Sequence, residues 1–102
     1  MAMESHALES HELESHYFFP PASAYALNRF LFALKSDTAV RERYVAQPEA
    51  TMREHGLADE ARAALVAADR DRLVALGAHP YLVFMAQVRL TMTREPGTFE
   101  YF

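Results

Sequence analysis

The 102-residue chain has no cysteine, no tryptophan and only three glycines. Without thiols it has no disulfide framework, no thiolate zinc site and no sulfur nucleophile, so redox chemistry by protein sulfur is excluded. So few glycines, scattered singly, provide no glycine-rich loop to cradle a phosphate. The longest apolar run, Tyr81 to Ala86, covers about a third of the ~20 residues that a membrane-spanning helix needs. The first twenty residues lack the basic start and unbroken apolar stretch of a secretory signal. A soluble, cytoplasmic protein is expected.

An excess of positive charge is missing as well. The formal net charge of −4 comes from 14 acidic and 10 basic residues, and Glu4, Glu9, Glu12 and Glu14 all fall in an opening stretch without Lys or Arg. The rest of the chain is electroneutral and has no sustained basic stripe, which argues against nucleic acid or an anionic membrane surface as partner. A chain of this length forms one domain at most, because two cores would each be too small to offset chain entropy.

Residues 4–16 form a five-residue repeat, ESHAL ESHEL ESH, with His6, His11 and His16 in register. On a helix, a spacing of five rotates each histidine by roughly 140° from the last, so the three cannot share one ion. His11 and His16 are separated by four residues where the zincin motif has three, which loses the i, i+4 stacking on zinc. Residues 1–22 are read as a flexible, solvated leader with at most adventitious affinity for zinc or nickel. Tyr17, Phe18 and Phe19 close it as a hydrophobic clasp, and Pro20 and Pro21 stop it from continuing as helix.

From residue 23 to 93 the pattern is helical throughout, and no strand signal of comparable length appears. The fold class is therefore all-α, a compact domain of five to six short helices. Ser23 is the expected N-cap of a first helix over 24–35, with Leu27, Phe30, Leu31 and Leu34 as its buried stripe. Asp37 caps a second helix in which Val40 and Tyr44 face inward and Arg41, Glu42 and Arg43 face water. Pro48 opens a third helix around Met52, ended by a Schellman-type stop at Gly56 and Leu57. A fourth segment, Asp59 to Ala68, places Ala61, Ala64, Leu65 and Ala68 on one side. Asp69 caps a fifth helix carrying Leu73 and Leu76, and Gly77 ends it.

Pro80 opens the last helix, over 80–93, where Tyr81, Leu82, Phe84, Met85, Val88 and Met92 cover more than half the circumference. A small domain has few helices with which to bury both sides of such an element unless Phe30, Phe32 and Tyr44 cover it internally. Tyr81, Phe84, Met85, Val88 and Met92 are accordingly expected to meet another chain. Residues 94–102 form a short C-terminal tail.

The chain shows no catalytic set. Asp59, Glu60, Asp69 and Asp71 fall at helix starts, where capping explains them. His55 precedes a helix-stopping glycine and His79 precedes Pro80, so helix-end roles account for both. His79 is the better functional candidate because its loop adjoins the interface helix. No residue of this chain is assigned as catalytic or as a metal ligand.

The ordered run of Tyr25, Leu27, Asn28 and Phe30, then Arg41-Glu42-Arg43-Tyr44, then Leu57, Leu65, Asp69 and the Gly77 turn with Tyr81 resembles the small, LigA-type subunit of two-subunit extradiol ring-cleavage dioxygenases. The protocatechuate 4,5-dioxygenase alpha chain typifies that family. The resemblance covers roughly residues 25–85 and implies an all-helical, non-catalytic partner that packs on a larger subunit. That larger subunit would hold iron(II) through two histidines and one carboxylate and activate a catechol and O₂. By the same resemblance, Gly97-Thr98-Phe99 brings Phe99 near the bound ring, with His79 also substrate-proximal and Tyr101 and Phe102 as weaker candidates. The chain stops at Phe102 where longer members continue for another helical segment. The middle of the pattern, Gln47-Pro48-Glu49-Ala50 through Leu57 with Asp59-Glu60, is also similar to the helical recognition domain of split borosin precursors. That similarity implies the alternative of a precursor peptide held by a backbone N-methyltransferase, its C-terminal tail being the modified segment.

Overall fold

The computed structural model describes residues 22–95, and the leader repeat, the aromatic clasp and the tail beyond Glu95 lie outside them. The described residues form six helices and no strand: α1 (Ala22–Ser36), α2 (Thr38–Ala46), α3 (Pro48–Glu54), α4 (Asp59–Val66), α5 (Arg70–Ala75) and α6 (Pro80–Arg94). The all-α expectation holds.

The two 15-residue helices, α1 and α6, form the spine, and the four shorter ones wrap it. On α1, Leu27, Phe30, Leu31 and Leu34 recur at helical spacing and are fully buried, together with Ala24. They meet Tyr44 from α2, Met52 from α3, Leu57, Ala61 and Ala64 around α4, Leu73 from α5, and Val83, Ala86 and Leu90 from α6. The Phe30 ring packs edge-on against Tyr44 at 5.6 Å and lies 4.8 Å from the His55 ring.

Helix ends follow local chemistry. The Asp37 carboxylate accepts from the Ala39 and Val40 amides, and that of Asp69 accepts from the Arg72 amide, so both cap as their position implies. Pro48 stands at the start of α3, where its missing N–H costs nothing. Three successive helices end in the same reversed pair of hydrogen bonds. Leu57 N–H donates to Met52 O and Gly56 N–H to Arg53 O; Asp69 and Ala68 repeat this onto Ala64 and Leu65, and Ala78 and Gly77 onto Leu73 and Val74. The residue at each reversal has positive φ: Gly56 at 75°, Ala68 at 54° and Gly77 at 105°.

Four expectations are corrected. Helix α1 already includes Ser23, so this serine is not its N-cap. Ala68 does not line the packing side of α4; it is the exposed residue that ends it in the left-handed conformation. The N-cap of α4 is Ala58, with no side-chain cap, and Asp59 instead pairs with Arg62 one turn on. Arg41 does not face water. It is 8% exposed, and its Nη1 donates to the carbonyls of Leu34 and Lys35 at 2.9 and 3.0 Å, while Nη2 donates to the Thr38 hydroxyl. The α1 C-terminus bends directly into α2, leaving carbonyls that a guanidinium fork satisfies better than water in so tight a corner.

Candidate functional site

Helix α6 is apolar on two opposite faces. Val83, Ala86 and Leu90 pack into the core. About 180° round the helix, Tyr81, Phe84, Met85, Val88 and Met92 follow the i, i+3, i+4, i+7, i+11 pattern of a second stripe. Tyr81 is 54%, Phe84 58% and Met92 40% exposed, with Met85 and Val88 half-buried at its margins. Periodicity along the helix favours its larger side chains, but Val83 and Ala86 are the ones that go deepest, their small volume allowing the close approach. Phe30 and Tyr44 do lie inside, whereas Phe32 is 54% exposed.

The start of this helix is held in place by a residue from α1. Asn28 Nδ2 donates to the carbonyls of Ala24 and Gly77, both at 3.0 Å, and its Oδ1 accepts from the His79 amide at 2.8 Å. The amide thus bridges its own helix and the turn preceding α6, with one N–H and the carbonyl oxygen committed to the turn. Gly77 sits so close to α1 that a Cβ on it would lie 2.7 Å from the Ala24 Cβ. His79 follows as N-cap, its Nδ1 accepting from the Tyr81 amide at 3.1 Å, which requires the proton to be on Nε2 in the neutral ring. His79 and Tyr81 rings meet edge-on at 6.5 Å, so the cap and the first residue of the stripe form one unit.

Elsewhere the ionisable groups do structural work. His55 Nδ1 donates to the Thr51 carbonyl at 3.0 Å beside Phe30. Arg62 ties α3 to α4 by bridging Glu49 at 2.9 Å, the Leu57 carbonyl at 2.7 Å and Asp59. Arg43 pairs with Glu54. Burial raises the Tyr44 phenol above its ordinary value, with the Arg94 guanidinium beside it pulling part of the way back. Among the described residues, no group of three or more His, Asp or Glu side chains stands close enough to hold a metal ion, and no helix is long and apolar enough to cross a membrane. Phe99, Tyr101 and Phe102 lie outside the described residues.

The sequence pattern alone gives Asn28 no role. Its partners are 49 and 51 residues away, a distance that no local rule spans. An amide next to a buried stripe in mid-helix was the one available signal.

No curated protein and no solved structure matches the chain. The family model of the aromatic-ring-opening dioxygenase LigAB, LigA subunit, matches residues 27–98, a span that includes α2 to α6, the Asn28 pin and the outward stripe. The chain belongs to the LigA subunit family of aromatic-ring-opening dioxygenases.

Proposed function

We propose that this chain is a non-catalytic accessory subunit of a cytoplasmic extradiol dioxygenase. It packs on a larger subunit, which holds iron(II) and opens the aromatic ring. The observation that carries the reading is the outward stripe of α6, Tyr81, Phe84, Met85, Val88 and Met92, in a member of the LigA subunit family. Two half-exposed aromatic rings represent on the order of 200 Å² of apolar surface, whose burial is worth roughly 5 kcal/mol before the costs of association. His79 and Asn28 fix the direction in which this helix leaves the domain and so present the stripe as a rigid surface. In the assembled enzyme, Phe99 and His79 are placed near the substrate.

Co-expression with the larger subunit tests this reading. The wild-type chain is expected to co-purify with an iron protein. Phe84→Glu sets a charge in the middle of the contact, and is expected to weaken the complex by at least tenfold while the circular dichroism of the free chain stays unchanged. Phe99→Ala in the complex is expected to raise KM for the catechol. Unchanged affinity in Phe84→Glu would remove α6 as the interface. Methyl mass increments on residues 94–102 of the chain isolated from its own cells would assign it instead to a peptide N-methyltransferase.

A further inference from the structure

The outer face of α1 is a further surface that the fold leaves uncovered. Leu27, Phe30, Leu31 and Leu34 point into the core, and on the opposite side Tyr25, Arg29 and Phe32 follow at i, i+4, i+7. Tyr25 is 61% and Phe32 54% exposed. Each ring carries a cation: the Arg29 guanidinium lies 5.6 Å from the Tyr25 centroid, and the Lys35 ammonium 5.3 Å from that of Phe32. Neither cation forms an ion pair with a described carboxylate, and α1 has no Asp or Glu of its own. The two carboxylates that share a cleft with Tyr25 and Arg29 are engaged elsewhere, Asp37 in capping α2 and Glu54 with Arg43.

Charge is segregated along this first part of the chain. The only carboxylate side chains before Asp37 are Glu4, Glu9, Glu12 and Glu14, and the only Lys or Arg are Arg29 and Lys35. The excess negative charge of the protein therefore lies ahead of α1, and the first cations that follow it belong to the outer face of that helix. Chain length allows the two to meet. The residues from Glu9 to Pro21 reach up to ~40 Å and those from Glu14 up to ~23 Å, against ~10 Å from Ala22 to Arg29 and ~20 Å to Lys35. Tyr17, Phe18 and Phe19, shortly before Ala22, bring apolar side chains within reach of Tyr25.

We propose that the acidic leader, residues 4–16, docks on the outer face of α1 of its own chain, with its glutamates on Arg29 and Lys35 and the aromatic clasp against Tyr25. One exposed ion pair is weak, but the covalent tether gives the leader a millimolar effective concentration at this face, and two cations are there to receive it. The charges stay near solvent, so salt screens the contact. No residue of the α6 stripe takes part, and the inference stands apart from the accessory-subunit reading.

The chain has no cysteine, so Ser10→Cys provides a single attachment point for a nitroxide within the leader. In the full-length ¹⁵N-labelled chain, the amides of Phe32 and Lys35 are expected to lose most of their intensity at low salt and to recover it at about 1 M salt, where the screening length is about 3 Å. Arg29→Glu combined with Lys35→Glu is expected to abolish the loss while the circular dichroism stays unchanged. Adding Glu4→Lys, Glu9→Lys, Glu12→Lys and Glu14→Lys to that chain is expected to restore it, which separates charge pairing from the loss of the two cation–ring contacts. The proposal is overturned by the absence of a salt-dependent loss at Phe32 and Lys35, or by failure of the reversed leader to restore it. Equal loss around Arg70 and Arg72 would also overturn it, by showing a diffuse attraction to every exposed cation. So would the same loss when the nitroxide sits on an unlabelled copy mixed with the ¹⁵N-labelled chain, since a second molecule would then be the occupant. None of these results bears on the larger subunit.

Discussion

Gly77 is where the fold is most exposed to a single methyl group. In Gly77→Ala the added Cβ meets two separate penalties. A φ of 105° is a conformation that L side chains rarely adopt, which costs about 1–2 kcal/mol. The Cβ would also lie 2.7 Å from the Cβ of Ala24, backed by the α1 backbone, which adds about 1–3 kcal/mol of overpacking. The expected loss is therefore about 2–5 kcal/mol, a large share of the 5–15 kcal/mol that stabilises a typical domain. Gly56 provides the control, since its φ is 75° but no atom lies within 4 Å of the position its Cβ would take. Gly56→Ala should cost about 1 kcal/mol, from backbone strain alone. The reverse change at the third reversal, Ala68→Gly, should gain about 0.5–1 kcal/mol by relieving a left-handed alanine. With no tryptophan in the chain, urea unfolding is best followed by far-ultraviolet circular dichroism. A double variant that also carries Ala24→Gly should recover about 1–3 kcal/mol relative to additivity. If Gly77→Ala matches Gly56→Ala, or if the double variant is strictly additive, the close approach of the turn to α1 is wrong.

Three further outcomes are expected. Asn28→Ala removes the hydrogen bonds to Gly77 and His79, and should cost about 1–3 kcal/mol and speed hydrogen exchange at the His79 and Tyr81 amides specifically. Arg41→Leu leaves the Leu34 and Lys35 carbonyls without the donor they share, and should lose about 2–3 kcal/mol by urea unfolding, whereas Arg43→Leu, at an exposed ion pair, should lose less than about 1 kcal/mol. For Tyr44, burial raises the folded-state pKa above the ordinary 10.0, so its contribution is intact below that pH and is lost as pH rises through the folded value. The melting temperature of the wild type should fall through this alkaline window more steeply than that of Tyr44→Phe.

Much of the helical order was legible because its determinants are local. Asp37 and Asp69 cap the helices they precede, Pro48 and Pro80 open theirs, and Gly56 and Gly77 close theirs, each through atoms within a few residues. The outward stripe of α6 was legible for the same reason, since periodicity along one helix needs no knowledge of its neighbours. The misses involve long reach or small size. Arg41 reads as a surface residue until the corner between α1 and α2 supplies carbonyls for it. Val83 and Ala86 are passed over beside Tyr81 and Phe84, yet depth is decided by how closely α1 approaches, and small side chains allow that approach. Asp59 has the composition of a cap but spends its carboxylate on Arg62, which lies one turn further along.

The three reversed helix ends bear on how the domain opens. Helices α3, α4 and α5 have seven, eight and six residues, well under the ~12–15 at which an isolated helix begins to hold in water. Each is closed off from the next by its own terminal hydrogen bonds, so helical order cannot spread from one to another along the chain. They stand only while the α1–α6 spine is present to receive Met52, Ala64 and Leu73. Native-state hydrogen exchange should therefore divide the molecule in two, with α1 and α6 opening at the global unfolding free energy and the middle helices through smaller, separate fluctuations.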